Sequence, residues 1–469
     1  MLKSYHRVSR PPKSLKYGGV YWATQNMIER FTVATRHTEQ KKLPPLELFK
    51  RIGGEKDGHE RILIPRNCCP VPQNDQRSRG LPCDYNCTVV PRDKDQASYM
   101  TQARALVKRG ESFIGEAPTG FGKTVVTMDT IAAAGTTTLI LVNKEDLESQ
   151  WRKSLKEQLN LEDHEIGLLK GDIVKVRGRK VVIGYVQSLY KEGRYPSYIY
   201  DYFGLVVADE VHIMGAMEFS KVAWLFSAYL WIGLSATPYR KDGNDIIFHA
   251  HIGEVKIKIT KVNLSPKVIV GYSSFKVPMT YKWDTTECRK VRVQVPHTAG
   301  KVGHITKLMP DDENRNDMIC EFVKTAYDVD RRIVIFADTK RQLQALEECL
   351  ISWGVKRSDI SYYIGGLSEA AREKAKQKPV CLATYQMCST GTDNPIWDTG
   401  VLATPRADVV QIVGRVLRVH ERKCSVHKPE EGKKCPVVLD VLDADSRVFL
   451  NYFKSRQKYY KTVNAVMVM

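Results

Sequence analysis

Residues 115–124 read GEAPTGFGKT, and the residue types in that turn suit a phosphate. Gly120 and Gly122 let the backbone approach an anion closely, so that main-chain N–H groups and the start of the helix-like run VVTMDTIAAA face it. Lys123 adds positive charge, and Thr124 supplies a hydroxyl of the kind that holds Mg²⁺ in such loops. The strict pattern has glycine where this chain has Ala117, so the turn alone leaves an ordinary glycine-rich loop as an alternative. A second stretch, VVADEVH, puts Asp209 and Glu210 at the end of an apolar strand-like run. Two carboxylates there suit Mg²⁺ held through Asp209 and a water activated by Glu210, because phosphoryl transfer depends on charge neutralisation and in-line placement. A solvated acidic loop is the plain alternative.

Groups of this kind need a rigid frame. From about 93 to 265, apolar runs (TLILV, KVVIGYV, GLVVA, WIGLSA) alternate with polar, helix-like stretches such as KEDLESQWRKSLKEQL. That alternation predicts an α/β lobe with a parallel sheet. A second alternation over 311–469 (RRIVIFAD, KRQLQALEECLISWG, KPVCLAT, PVVLDVLD) predicts another. Residues 266–310 carry alternating segments and little helix signal, which reads as a linker or inserted hairpin. Residues 1–92, rich in Pro and Gly pairs, read as a small accessory domain.

At 469 residues the chain is long enough for two or three cores, and its formal net charge of +19 points to a polyanionic partner. No apolar run is long enough to span a membrane, and the basic N-terminus lacks the apolar stretch of a secretion signal, which predicts a cytoplasmic protein. Eleven cysteines, an odd number in a large chain, fit reduced thiols. Two clusters (Cys68, Cys69, Cys83 and Cys87; His420, Cys424, His427 and Cys435) lack paired spacing, so zinc is not expected. The C-terminal run RVFLNYFKSRQKYYK puts Phe449, Tyr452 and Phe453 at helical spacing, as for a face packed on the second lobe, with a base-stacking platform as the alternative.

Taken in order, these stretches resemble the superfamily 2 helicases, whose phosphate loop has the form AxxGxGKT and so accommodates Ala117. TLILVNKEDLESQW is similar to that family's motif Ia, DEVH to motif II, GLSATP to motif III, IVIFADT to motif IV, ATYQMCSTGTD to motif V and QIVGRVLR to motif VI. SATPYRKDG and LESQW further resemble the XPB-like and UvsW-like DNA helicases, and the short N-terminal part looks like the phage-encoded branch.

The resemblance implies two tandem RecA-like lobes, ATP and Mg²⁺ as cofactors, and unwinding or remodelling of forked and branched DNA in replication, recombination or repair, alongside other proteins of those processes. For a phage protein it implies the cytoplasm of an infected bacterial host. An RNA helicase and the motor subunit of a restriction system are the rivals. Carried over by residue, Ala117, Pro118, Thr119, Gly120, Phe121, Gly122, Lys123 and Thr124 would cradle the triphosphate. Thr124 and Asp209 would hold Mg²⁺. Gln102, with Gln96 as rival, would read adenine, and Asp393 would also contact nucleotide. Glu210 would position water, while Gln411, Arg415 and Arg418 would stabilise charge on the transferring phosphoryl. Asn143, Lys144, Tyr185, Gln187, Thr339, Thr384 and Gly391 would track the nucleic-acid backbone. Ser235, Ala236 and Thr237 would couple the two sites. The basic accessory domain would help engage duplex DNA.

Overall fold

The computed structural model describes residues 7–40, 42–53, 60–191, 193–215, 220–240, 242–260, 264–284, 286, 288–294, 302–388, 394–418, 420, 422–424 and 433–468. The chain divides into two units, Met1–Thr260 and Lys261–Met469. The first begins with β1 (Gly19–Trp22), β2 (Thr32–Val33), β3 (Leu46–Glu47), β4 (Lys50–Arg51) and β5 (Arg61–Ile64). These short strands form two small antiparallel sheets, β1-β5-β4 and β2-β3. Then follow β6 (Phe113–Glu116), β7 (Thr138–Val142), β8 (Ile166–Lys170), β9 (Ile173–Lys175), β10 (Val181–Tyr185), β11 (Leu205–Ala208), β12 (Leu230–Ser235) and β13 (Val255–Lys258). They make one sheet in the order β13-β6-β12-β11-β7-β10-β8-β9.

Every pairing in that sheet is parallel except the edge pair β8–β9. The central strands are apolar runs buried on both faces, as a parallel sheet covered by helices requires. One face carries the helices Lys94–Lys108, Lys123–Ala134 and Glu145–Leu159, whose Met100, Ala103, Val126, Ile131, Trp151 and Leu155 pack with Ile140, Val142, Ile183 and Val207.

The N-terminal segment shares this unit's interior. Phe31, Leu46, Leu48, Phe49, Ile62 and Ile64 form one core with Ile246, Ile247 and Ala250 of the helix Asp245–His251. Arg66, 6% exposed, donates to the carbonyls of Tyr17, Ala223, Phe226 and Ala228. One guanidinium thereby satisfies four main-chain acceptors and stitches the segment to the strand β12 region. His251 lies beside it, with Trp224 edge-on at 4.3 Å between ring centroids.

The second unit contains β14 (Lys267–Tyr272), β15 (Met279–Asp284), β16 (Arg289–Gln294), β17 (Ile333–Ala337), β18 (Ile360–Tyr363), β19 (Val380–Thr384), β20 (Thr399–Leu402), β21 (Val437–Leu442) and β22 (Val466–Val468). Its main sheet, β18-β19-β17-β20-β21-β14-β22, is parallel throughout. The stretch 266–310 therefore has two fates. Lys267–Tyr272 is a strand between β21 and β22, partners supplied from the far end of the chain, whereas β15 and β16 pair only with each other as a hairpin.

Two buried ion pairs brace this sheet. Arg315 grips Asp443 through Nε and Nη2 at 2.7 and 3.0 Å, both side chains fully buried, and donates to Ala403 O. Arg456 binds Asp440, which also accepts from the Tyr460 hydroxyl. The aromatic face of the helix Arg447–Thr462 is turned inward: Phe449, Phe453 and Tyr460 are buried, as for a packing face. Among the described residues no helix is long and apolar enough to cross a membrane.

Burial first, and Arg66 second, hold His251 well below its ordinary value of 6.5. The unfolded chain protonates this ring below 6.5 while the folded one does not, so the unfolded state binds the extra proton and stability falls as pH drops through that value. We expect the denaturation midpoint of the full chain to fall between about pH 7 and about pH 5, and His251→Phe, which keeps the aromatic contact, to reduce that slope. An unchanged slope would remove His251 from the account.

Candidate nucleotide site

The parallel sheet of the first unit delivers its functional residues to one edge. The loop 117–122 leaves the C-terminal end of β6, Ser235 ends β12, Asp209 follows β11, Asn143 follows β7, and Gln187 follows β10. Main-chain bonds from Ala117 N to Ser235 O (3.2 Å) and from Asp209 N to Leu141 O (3.2 Å) extend the ladders beyond the strands and set these segments side by side.

Gly120 and Gly122 both lie in the left-handed region, with φ of 79° and 90°. The left-handed backbone at Gly122 favours glycine, and a Cβ there would lie 2.8 Å from Gln96 Nε2 and push the end of that side chain aside. Phe121 is buried and packs its ring 5.7 Å from Tyr99, anchoring the middle of the loop in the core. Helix Lys123–Ala134 starts directly after Gly122, so the N–H groups of its first turn point toward the loop. Lys123 Nζ donates to Ala117 O and Pro118 O at 3.0 and 3.3 Å, which holds the ammonium within the turn.

The two residues suited to Mg²⁺ are each touched by the helix Glu145–Leu159. Trp151, fully buried, donates Nε1 to Asp209 Oδ2 at 2.8 Å, and Gln150 Nε2 lies 3.4 Å from Thr124 Oγ1. Neighbouring residues on one helix therefore aim the hydroxyl and the carboxylate. Desolvation, then the charge of Glu210, pushes the Asp209 carboxyl well above the usual carboxylate range, against the pull of Trp151 and Lys123. A carboxylate destabilised in this way gains from a cation, so the donor set fits a nucleotide-bound Mg²⁺. Glu210 has φ of 49°, a conformation costly for a residue with a side chain and frequent at functional sites.

Coupling contacts run from these carboxylates to the next loop. His212 lies 3.4 Å from Glu210 Oε2 and 3.2 Å from Ser235 Oγ, which also accepts from Thr237 N. Arg240 donates to His212 O at 2.7 Å and grips Asp242 through two nitrogens at 2.9 and 2.6 Å. Ala236 is half-buried and Thr237 exposed.

Several expectations need correction. Gln102 is exposed, and its amide is bonded to Ser98 on its own helix. Gln96 is the glutamine brought to the loop: it is buried, donates to Phe121 O at 2.6 Å and accepts from Arg92 N at 2.8 Å. Six residues on a helix is roughly 9 Å of rise and 240° of rotation, so the two cannot face the same point. Tyr185 is turned inward, with its hydroxyl donating to Glu148 at 2.8 Å, and is not available as a surface contact. Asn143 and Lys144 are half-buried, and the exposed Gln187 donates to Asn143 O at 2.6 Å.

In the second unit, Thr339 caps the helix Lys340–Ser352 through Oγ1, and Thr384 ends β19 half-buried. Gln411 and Arg415 lie on the helix Val410–Val416, with Arg418 just beyond it. Arg415 is buried; Gln411 and Arg418 are half-buried. Gly391, Asp393 and His427 lie outside the described residues. Among the described residues no group of three or more His, Cys, Asp or Glu side chains is arranged to hold a metal.

The family described as "Type III restriction enzyme, res subunit" matches residues 89–240, the stretch that holds this edge. A curated relative, "Putative ATP-dependent RNA helicase L396" of Acanthamoeba polyphaga mimivirus, is 27% identical over 345 residues, covering 73% of this chain. The chain spans 62% of that relative's length. "DNA 3'-5' translocase XPB2" of Sulfurisphaera tokodaii is 30% identical over 173 residues, 37% of each protein. In fold, the chain is similar to "S. cerevisiae Dbp5 bound to RNA and ADP BeF3", with a TM-score of 0.54 at 14% identity over 80% of this chain and 89% of that one. The chain is thus similar to helicases both in sequence and in fold. Its two main sheets have the fold of tandem RecA-like lobes. Gln150 and Trp151 are the QW of LESQW, a pair to which the sequence assigns no role; the helix packing shows which atoms they touch.

Trp151→Phe removes the N–H and keeps most of the ring. A bond to a charged group that orients a metal ligand is commonly worth about 10-fold or more in metal affinity. We therefore expect the half-saturating concentration of Mn²⁺, followed by its electron paramagnetic resonance signal in the presence of ATP, to rise by about 10-fold, with metal-free nucleotide binding unchanged. Wild-type metal affinity in a folded variant would refute the aiming role.

Proposed function

We propose that this chain is an ATP-driven translocase that unwinds or remodels forked and branched DNA. The single observation that carries the DNA reading is the engagement of the RKDG segment: Arg240 ties His212, of the acidic motif, to Asp242 of the same extension. SATPYRKDG is the stretch that resembles XPB-like and UvsW-like DNA enzymes, and the relative named a DNA translocase is similar over 173 residues. The net charge of +19 supports a phosphate-backbone partner.

In this reading, Ala117 to Thr124 hold the triphosphate and Gln96 holds the loop. ATP-bound Mg²⁺ supplies charge neutralisation, carried by Thr124 and Asp209. Glu210 orients the attacking water, and the contacts among His212, Ser235 and Thr237 pass the state of Glu210 to the neighbouring loop. Gln411, Arg415 and Arg418 stabilise charge on the transferring phosphoryl, and Asp393 contacts nucleotide. Asn143, Lys144, Gln187, Thr339, Thr384 and Gly391 follow the strand backbone. The basic segment 1–92 grips duplex. Work on forks in replication, recombination or repair, in the cytoplasm of an infected host, completes the proposal. RNA is the second reading, favoured by the name of the mimivirus relative.

ATP turnover measured with single-stranded DNA, duplex, fork, four-way junction and RNA decides between them. We expect forked DNA to stimulate most; stimulation by RNA alone would overturn the DNA reading. Lys123→Ala should abolish turnover while leaving nucleotide-independent DNA binding in place, and near-normal hydrolysis would remove the loop as the nucleotide site.

Arg415→Ala or Arg418→Ala should lower turnover by about 10³-fold or more, with nucleotide affinity changing far less, if either acts on the transition state. Equal losses in turnover and in affinity would assign that arginine to ground-state binding.

A further inference from the structure

The hairpin of β15 and β16 carries a face that the second unit leaves uncovered. Met279, Tyr281 and Trp283 alternate along β15 and share that face; their cross-strand partners are Gln294, Arg292 and Lys290. All six are exposed, Tyr281 by 70% and Trp283 by 56%. Two large aromatic rings therefore stand next to each other in solvent, each directly opposite a cation.

The base of the hairpin is fixed. Phe275 and Val277 pack with Ile305, Met309 and Phe449, and Asp445 accepts from Val277 N at 2.8 Å and from Gln294 Nε2 at 3.5 Å. The exposed face is thus presented by an anchored element rather than by a frayed loop.

Charge decides what such a face suits. Residues 276–294 hold five Lys and Arg against two Asp and Glu. Among the described residues neither Lys290 nor Arg292 is paired with a carboxylate. Lipid tails would be matched by an unbroken apolar surface; rings that each face a cation across the strands instead match the two components of an unpaired polynucleotide, base faces and phosphates. Rings two residues apart on a strand are spaced by about 7 Å, enough for a base to lie against each.

We infer that this face is a binding platform for single-stranded DNA, with bases stacked on Tyr281 and Trp283 and phosphates against Lys290 and Arg292. The inference takes its partner from the DNA-motor reading but does not depend on the nucleotide site.

The test measures, on the full chain without nucleotide, the affinity for a labelled oligodeoxythymidylate over a salt series. Tyr281→Ala with Trp283→Ala should weaken binding by at least about tenfold with the thermal midpoint unchanged, and Tyr281→Phe with Trp283→Phe should restore most of it. Lys290→Ser with Arg292→Ser should lower the slope of log affinity against log salt by roughly 1 to 2. Wild-type affinity in a folded double-alanine variant overturns the platform. So does loss of self-association by that variant with DNA binding intact, which would assign the face to a second protein. A wild-type chain whose ATP turnover ignores every DNA tested would refute the motor reading instead, a result separate from either outcome for the hairpin.

Discussion

Parallel pairing is the constraint on which the first lobe depends. In the order β6-β12-β11-β7-β10 every strand points the same way, so every loop that follows one opens at the same edge. Residues far apart in sequence, from Ala117 to Ser235, become neighbours without any contact designed between them locally. The cost is that the strands must be buried on both faces, and they are: TLILV, VVIGY and LVVA expose almost nothing. A polar substitution inside one of these strands would act on the whole edge, because each loop takes its position from the ladder beneath it.

Much of this was legible in the chain. The glycine-rich loop, the acidic pair and the apolar runs each carry a local signal: glycine where the backbone turns left-handed, charge immediately after an apolar strand, alternation of strand and helix. What was not legible depends on partners distant in sequence. Gln96 and Gln102 both lie upstream of the loop on one amphipathic helix, and only the rotation of that helix decides between them. Lys267–Tyr272 has the look of a hairpin strand, yet it pairs with segments more than a hundred and fifty residues away. The Arg315–Asp443 pair is likewise invisible to any local pattern, since its two charges are separated by 128 positions. Aromatic stripes gave the same lesson in reverse. Phe449 and Phe453 are core, whereas Tyr281 and Trp283, unmarked by helical spacing, are the rings left in solvent.

The contacts around His212 join three segments of the first unit through few atoms. The imidazole is near both Glu210 and Ser235, and its main-chain carbonyl is held by Arg240. A shift of the carboxylate therefore acts on two neighbouring segments at once. The following turn runs near the N-terminal segment: a Cβ at Gly243 would lie 3.5 Å from the backbone nitrogen of Arg36, at ordinary van der Waals distance. Hydrogen bonds thus lead from the acidic pair through Arg240 to Asp242, next to a turn that lies near the N-terminal segment.

Arg66 gives that last connection an evolutionary aspect. Its guanidinium fills the hydrogen-bonding capacity of Ala223, Phe226 and Ala228, three carbonyls of the first lobe, while Phe31, Ile62 and Ile64 cover the apolar face of the helix Asp245–His251. A first lobe cut free at residue 92 would expose both the carbonyls and the helix face. The N-terminal segment is therefore not a detachable module that could be exchanged while the motor stayed as it is. Replacing it would require the outer surface of the lobe to be rebuilt in the same step.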